Sequence, residues 1–139
     1  MAALTIAAAS VALVSGSDMA DQIAGEAFIA GASVYQSSTT GQWFKALASG
    51  TADQVGATNT GVALATADAV GARVSIALPG AVIAVGTGTP GVVYCIGAVA
   101  GQLVPVADLV ATNKVNPVAI GIGASKLQLT RNYNAGAIL

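Results

Sequence analysis

Three carboxylates, Asp18, Asp21 and Glu26, fall within nine positions and form the nearest thing to a reactive cluster in this chain. Oxygen ligands at such spacing can surround a calcium ion, but the regular alternation and central glycine of a calcium loop are missing. Solvated loop residues are the simpler reading. The chain has no histidine, which removes both the commonest general base and the commonest zinc ligand. A base would have to come from the six carboxylates or from a lysine of lowered pKa. Cys95 is the single cysteine; it permits no intrachain disulfide and, in the apolar run 92–96, reads as a small buried hydrophobe. Serine and threonine are abundant, yet no Gly-x-Ser-x-Gly elbow occurs. The Gly-Thr-Gly-Thr-Pro-Gly stretch at 86–91 lacks the Gly-Lys-Ser/Thr ending of a phosphate loop and precedes a strand pattern, so it reads as a turn. These residues point away from catalysis, and the expectation is a non-enzyme with no metal and no cofactor.

Composition points to contacts instead. The 139 residues suit one domain with a modest core. Hydrophobic residues make up 55% of them, much of this alanine, while aromatics are 4%, so the core buries little area per residue. Charged residues are 8%, against roughly 25% in an average soluble domain. That predicts a surface partly covered by partners; the alternative is an apolar monomer faced with serine, threonine and asparagine. The net charge is −1, and Lys45, Arg73, Lys114, Lys126 and Arg131 are scattered, which argues against direct nucleic-acid binding. Residues 1–14 are apolar like the core of a signal peptide, but no lysine or arginine precedes Lys45. They are also too few to span a bilayer. An N-terminal arm or strand, without a membrane partner, fits better.

The elements that must position these residues are short strands. Residues 4–6 read as a strand or extended arm; Ala7 to Ala9 are compatible with helix, but Ser10, Val11 and Val14 hold no helical period; and 15–22 read as a polar loop. Strands are expected at 23–30, 33–36, 42–46, 61–65, 72–78, 81–85, 92–96, 102–106, 118–123 and 126–131. A short helical turn is expected at 52–56 and another at 107–110. Residues 72–78 alternate cleanly, with Val74, Ile76 and Leu78 on one face. Leu127 and Leu129 should point inward from the last strand. Trp43 and Phe44 are consecutive, so a strand sends them to opposite faces. Either one of them is a partly exposed interface aromatic or both are covered by the chain's own loops. No segment holds a helical period for three turns. About ten short strands therefore predict an all-β small barrel or sandwich, with a β-tulip among the options.

The chain also reads as two pseudo-repeated halves, about 23–78 and 80–131. Phe28 to Gly31 match Ile83 to Gly86, Val34-Tyr35 match Val93-Tyr94, and Gly41-Gln42 match Gly101-Gln102. The expected organisation is an N-terminal arm and loop (1–22), a single β-domain (23–131) and a C-terminal tail (132–139).

Five stretches in order, Gly-Glu-Ala-Phe-Ile-Ala-Gly-Ala-Ser-Val-Tyr (25–35), Thr-Gly-Gln-Trp-Phe-Lys-Ala (40–46), Thr-Pro-Gly-Val-Val-Tyr (89–94), Gly-Gln-Leu-Val-Pro-Val-Ala-Asp-Leu (101–109) and Val-Ala-Ile-Gly-Ile-Gly (118–123), resemble tailed-bacteriophage capsid cement, or decoration, proteins. The resemblance covers roughly residues 20–130. It implies a small β-rich protein on the outer surface of an expanded icosahedral head, sealing contacts between units of the major capsid protein, often as a homotrimer. Leu4, Ile6, Val11 and Leu13 of the arm, with Trp43 and Phe44, are then the candidate capsid or oligomer contacts. Deleting residues 2–14 should abolish head binding and leave the β-domain folded. A different expectation is a virion fibre or spike component that binds host-surface glycans, with Trp43 as the sugar platform. A third, a secreted adhesion protein, requires a cleaved N-terminus.

Overall fold

In the computed structural model, residue 4 and residues 6–51, 54–55, 59–109, 113–123 and 125–130 are described. The expected helical turn at 52–56 lies largely outside them, and the tail at 132–139 wholly so. The described residues form eleven strands: β1 (Ala12–Ser15), β2 (Asp18–Ile23), β3 (Ser33–Gln36), β4 (Trp43–Lys45), β5 (Thr60–Ala63), β6 (Arg73–Ala77), β7 (Val82–Ala84), β8 (Val93–Ile96), β9 (Leu103–Pro105), β10 (Pro117–Gly121) and β11 (Lys126–Leu129). Short 3-10 turns occupy Ala8–Ser10 and Val106–Asp108. The fold is all-β, with two antiparallel, open sheets packed in the manner of a sandwich.

The sheets are two editions of one plan. The five-stranded sheet has the order β2-β6-β5-β3-β4, and the six-stranded sheet β1-β7-β11-β10-β8-β9. With β1 set aside, β2 to β6 in chain order map onto β7 to β11 and occupy the same places. Register agrees as well: Tyr35 faces Phe44 and Gln36 faces Trp43, while Cys95 faces Val104 and Ile96 faces Leu103. Loop hydrogen bonds repeat too. Ser37 N–H donates to Gln42 O, and Gly97 N–H to Gln102 O; Gly31 N–H donates to Ala63 O, and Gly91 N–H to Gly121 O. Gly31 and Gly91 both hold positive φ, 91° and 80°, a conformation that favours glycine.

These correspondences correct the register read from sequence. Gly31 maps onto Gly91, not Gly86, and Val34 onto Tyr94, not Val93. Residues 29–46 align with 89–106 at a constant spacing of 60. In an Ala/Gly/Val-rich chain several registers look alike, and a slip of one residue exchanges the two faces of a strand. A second correction concerns residues 15–22, expected as a loop. Residues 18 to 23 are strand β2, an edge strand largely exposed, so no apolar alternation marks it. Residues 24–30 are irregular instead, with isolated bridges from Ala24 to Trp43 and from Phe28 to Ala67.

The core has two parts. The larger draws on both sheets, with Tyr35, Val62 and Ala77 from one and Ile83, Tyr94 and Leu127 from the other. The smaller belongs to the five-stranded sheet and its flanking segments, with Phe28, Val34, Trp43, Val74 and Ile76. Its strands β3 and β5 are therefore buried on both faces, and consecutive Val34 and Tyr35 serve different clusters. Buried alanines, among them Ala24, Ala32, Ala63, Ala67 and Ala77, let backbones approach closely at the cost of little apolar area each.

Candidate functional site

The N-terminal arm is the element that departs from the repeat. In the first half, the chain leaving β2 turns back, so that Gly25 N–H donates to Trp43 O on the outer side of β4 at 2.8 Å. In the second half, the chain leaving β7 runs into the 86–91 turn and does not return. There Leu4 of the arm takes the equivalent place, its N–H donating to Leu103 O on β9 at 2.9 Å. The arm continues past Gly31, where an added methyl would lie 2.6 Å from Ile6 Cγ2. It then makes its 3-10 turn and enters the six-stranded sheet as β1 beside β7, with Ala12 opposite Ala84 and Leu13 opposite Ile83. One arm thus touches both edges of one sheet.

This seating sorts the candidate contact residues. Leu4 and Ile6 are half-buried and pack against the larger core cluster of their own chain. Val11 is half-buried beside Gly31. Leu13 is 36% exposed and its neighbour Val14 49%. The arm supplies strand β1 and half-buried side chains packed against the core, which weighs against the expectation that residues 2–14 can be removed with the β-domain left folded.

Trp43 and Phe44 do point to opposite faces. Trp43 is fully buried in the smaller cluster, and its indole N–H donates to Gln22 Oε1 at 3.0 Å. Such a side chain offers no platform to a sugar, which corrects the expectation of an accessible Trp43. Phe44 is half-buried against the larger cluster and stacks on Tyr35 with ring centroids 5.8 Å apart. Of the sequence-derived contact residues, Leu13 alone remains openly exposed. The surface adds others that periodicity did not single out: Ile29, Val70, Val93, Val99 and Ile122. Their signal was available as large aliphatics at strand ends and turn tips. Ile29 stands between a crevice lined by Leu4, Ile6 and Leu103 and a shallow groove bounded by Phe28, Lys45 and Asp68.

The chemistry-bearing residues are dispersed. Glu26 accepts Lys45 N–H through Oε2 at 3.0 Å and faces Lys45 Nζ at 3.8 Å through Oε1, while Asp18 and Asp21 lie along exposed β2. Among the described residues no three His, Cys, Asp or Glu side chains converge to hold a metal ion. Burial pushes the Cys95 thiol up to about 11, so it is protonated and unreactive at neutral pH. Among the described residues no helix is long and apolar enough to cross a membrane. No protein-family model, no curated protein and no solved structure matches the chain.

Proposed function

We propose that this chain is a structural, non-catalytic virion protein that binds the outer surface of an icosahedral phage capsid and cements neighbouring capsomers after head expansion. Its partners on this reading are the major capsid protein and further copies of itself, as a homotrimer, with no cofactor, nucleic acid or membrane involved. The order of sequence words given above motivates the reading. The observation that carries it is a set of large hydrophobic side chains left exposed, all of them aliphatic and including Leu13, Val14, Ile29, Val99 and Ile122, on a chain with only 8% charged residues. Such a surface favours dry contacts, because interface centres are depleted of charge. Repetition over a shell supplies avidity, so each contact can be weak on its own.

Co-sedimentation with purified expanded heads tests this directly. The purified chain should pellet with expanded heads to a saturating stoichiometry and pellet less with unexpanded ones. A chain that stays in the supernatant at every ratio contradicts the reading, and specific retention on a glycan array would favour the fibre alternative.

A further inference from the structure

The two sheets have four edges, and three of them are dealt with. The outer side of β4 is taken by Ala24 and Gly25, and that of β9 by Leu4. Strand β2 is interrupted by a register shift between Met19 and Gln22, with Asp21 at φ 56° inside it. Exposed Asp18 and Asp21 add charge to that edge. A bulge and charges are the usual devices that stop another strand from adding to a sheet. Strand β1 has a register shift of its own, between Leu13 and Ser15, but it carries no charged side chain. It pairs with β7 on one side, all four of its residues are exposed, and Leu13 and Val14 are among them. No charged side chain occurs before Asp18.

We propose that β1 is a self-association edge, pairing antiparallel with β1 of a second copy about a twofold axis. An antiparallel pair of identical strands satisfies its own backbone donors and acceptors and brings the same residues together from both sides. Charge decides which edge can do this. Across a twofold, β2 would set Asp18 and Asp21 against their own copies, and like charges opposite one another in a sheet are destabilising. Strand β1 brings only Ala12, Leu13, Val14 and Ser15 together, so Leu13 and Val14 of each copy cover those of the other. The two six-stranded sheets become one continuous sheet. The contact is a property of the free protein and does not depend on shell binding.

The test uses the full chain without capsids. In sedimentation equilibrium the wild type should show a reversible doubling of mass through this twofold contact, from monomer to dimer or, where the threefold assembly is already formed, from trimer to hexamer. Val14→Lys should weaken that step about 10-fold or more while circular dichroism and the thermal midpoint stay unchanged. Leu13→Cys and Val14→Cys provide a second readout, because Cys95 is buried and the introduced thiol is the accessible one. At least one of them should form a disulfide-linked dimer on mild oxidation much faster than Val70→Cys, placed on an exposed turn. Three results overturn the proposal: a wild type that is monomeric at every concentration, association that Val14→Lys leaves unchanged, or cross-linking at 13 and 14 no faster than at 70. A monomeric wild type whose shell binding is lost in Val14→Lys would assign the edge to the shell protein instead.

Discussion

The hairpin between β3 and β4 closes on itself, whereas the equivalent hairpin between β8 and β9 docks on the other half of the molecule. In the first, Ser37 Oγ accepts the N–H groups of Thr39 and Thr40, Gly41 N–H donates to Ser37 O, and Gln36 Nε2 donates to Gly41 O. In the second, Gln36 is replaced by Ile96 and Ser-Ser-Thr-Thr by Gly-Ala-Val-Ala. That loop lacks the side chains to satisfy itself. Gly101 N–H donates instead to Ala46 O, Gly101 O accepts Ser33 N–H, and Gly97 O accepts Ala48 N–H. Ser33 Oγ also donates to Gln102 O. Buried backbone groups need partners from somewhere; a polar hairpin makes its own, and an apolar one becomes the joint between halves. Duplicated units thus diverge into a free loop and a joint by changing a few side chains, with the glycines at 41 and 101 kept.

The largest expected effect comes from taking away what makes the halves unequal at their edges. Deleting residues 2–14 removes β1, the Leu4 bond to β9 and the packing of Ile6, a loss of about 5 kcal/mol, comparable with the whole stability of a small domain. The truncated chain should show a collapsed β signal by circular dichroism and loss of dispersed amide resonances from β7 to β11. A truncated chain with a native spectrum would break the account of the arm. Next comes Trp43→Ala, which empties the centre of the smaller cluster. It should cost about 3–5 kcal/mol, read as a lowered urea midpoint.

The position equivalent to Tyr35 carries Cys95, and that difference has a pH signature. The thiol ionises near 9.0 when unperturbed and near 11 in the fold. Unfolding therefore releases a proton between those values. The stability contribution of the buried thiol is fully present below pH 9, falls as pH rises toward 11 and levels off beyond it. The loss is at most about 2–3 kcal/mol. Denaturant titrations at stepped pH should show a shallower decline for Cys95→Ala than for the wild type, and parallel declines would contradict the assignment.

The smallest effect sharpens the loop comparison most. Gly41 and Gly101 share positive φ, 74° and 83°, so alanine is strained at both by about 1 kcal/mol. A methyl at Gly41 meets no atom within 4 Å, whereas at Gly101 it lies 3.2 Å from Lys45 Cδ and 3.6 Å from Ala32 Cβ. Gly101→Ala should therefore be the more destabilising by about 1 kcal/mol. Equal urea midpoints for the two variants would deny that the second hairpin is the joint.

Much of this fold was legible because burial follows alternation. Val74 and Ile76 in β6, and Leu127 and Leu129 in β11, are buried as their spacing requires, although the alternation ends at buried Ala77 and half-buried Leu78, and Trp43 and Phe44 separate as neighbours in a strand must. What was not legible lacks that signature. Strand β2 is an exposed edge, so Asp18 to Gln22 have little apolar face to display. The repeat register was hidden by interchangeable small residues. Its better markers were sparse: the positive-φ glycines, and the pair Asn59 and Asn116, whose carbonyls accept the N–H groups of Gln36 and Ile96. The destination of the arm could not be read, because Leu4 and Ile6 look the same whether they seek their own sheet or another chain's.

The proposed function places this chain on a shell, where it joins neighbouring units. The most direct measurement is a density map of whole virions. Density for this two-sheet body is expected on the outer surface of the head, spanning the boundary between neighbouring capsomers. Its absence from the shell, or its placement in a fibre or tail, would contradict the claim.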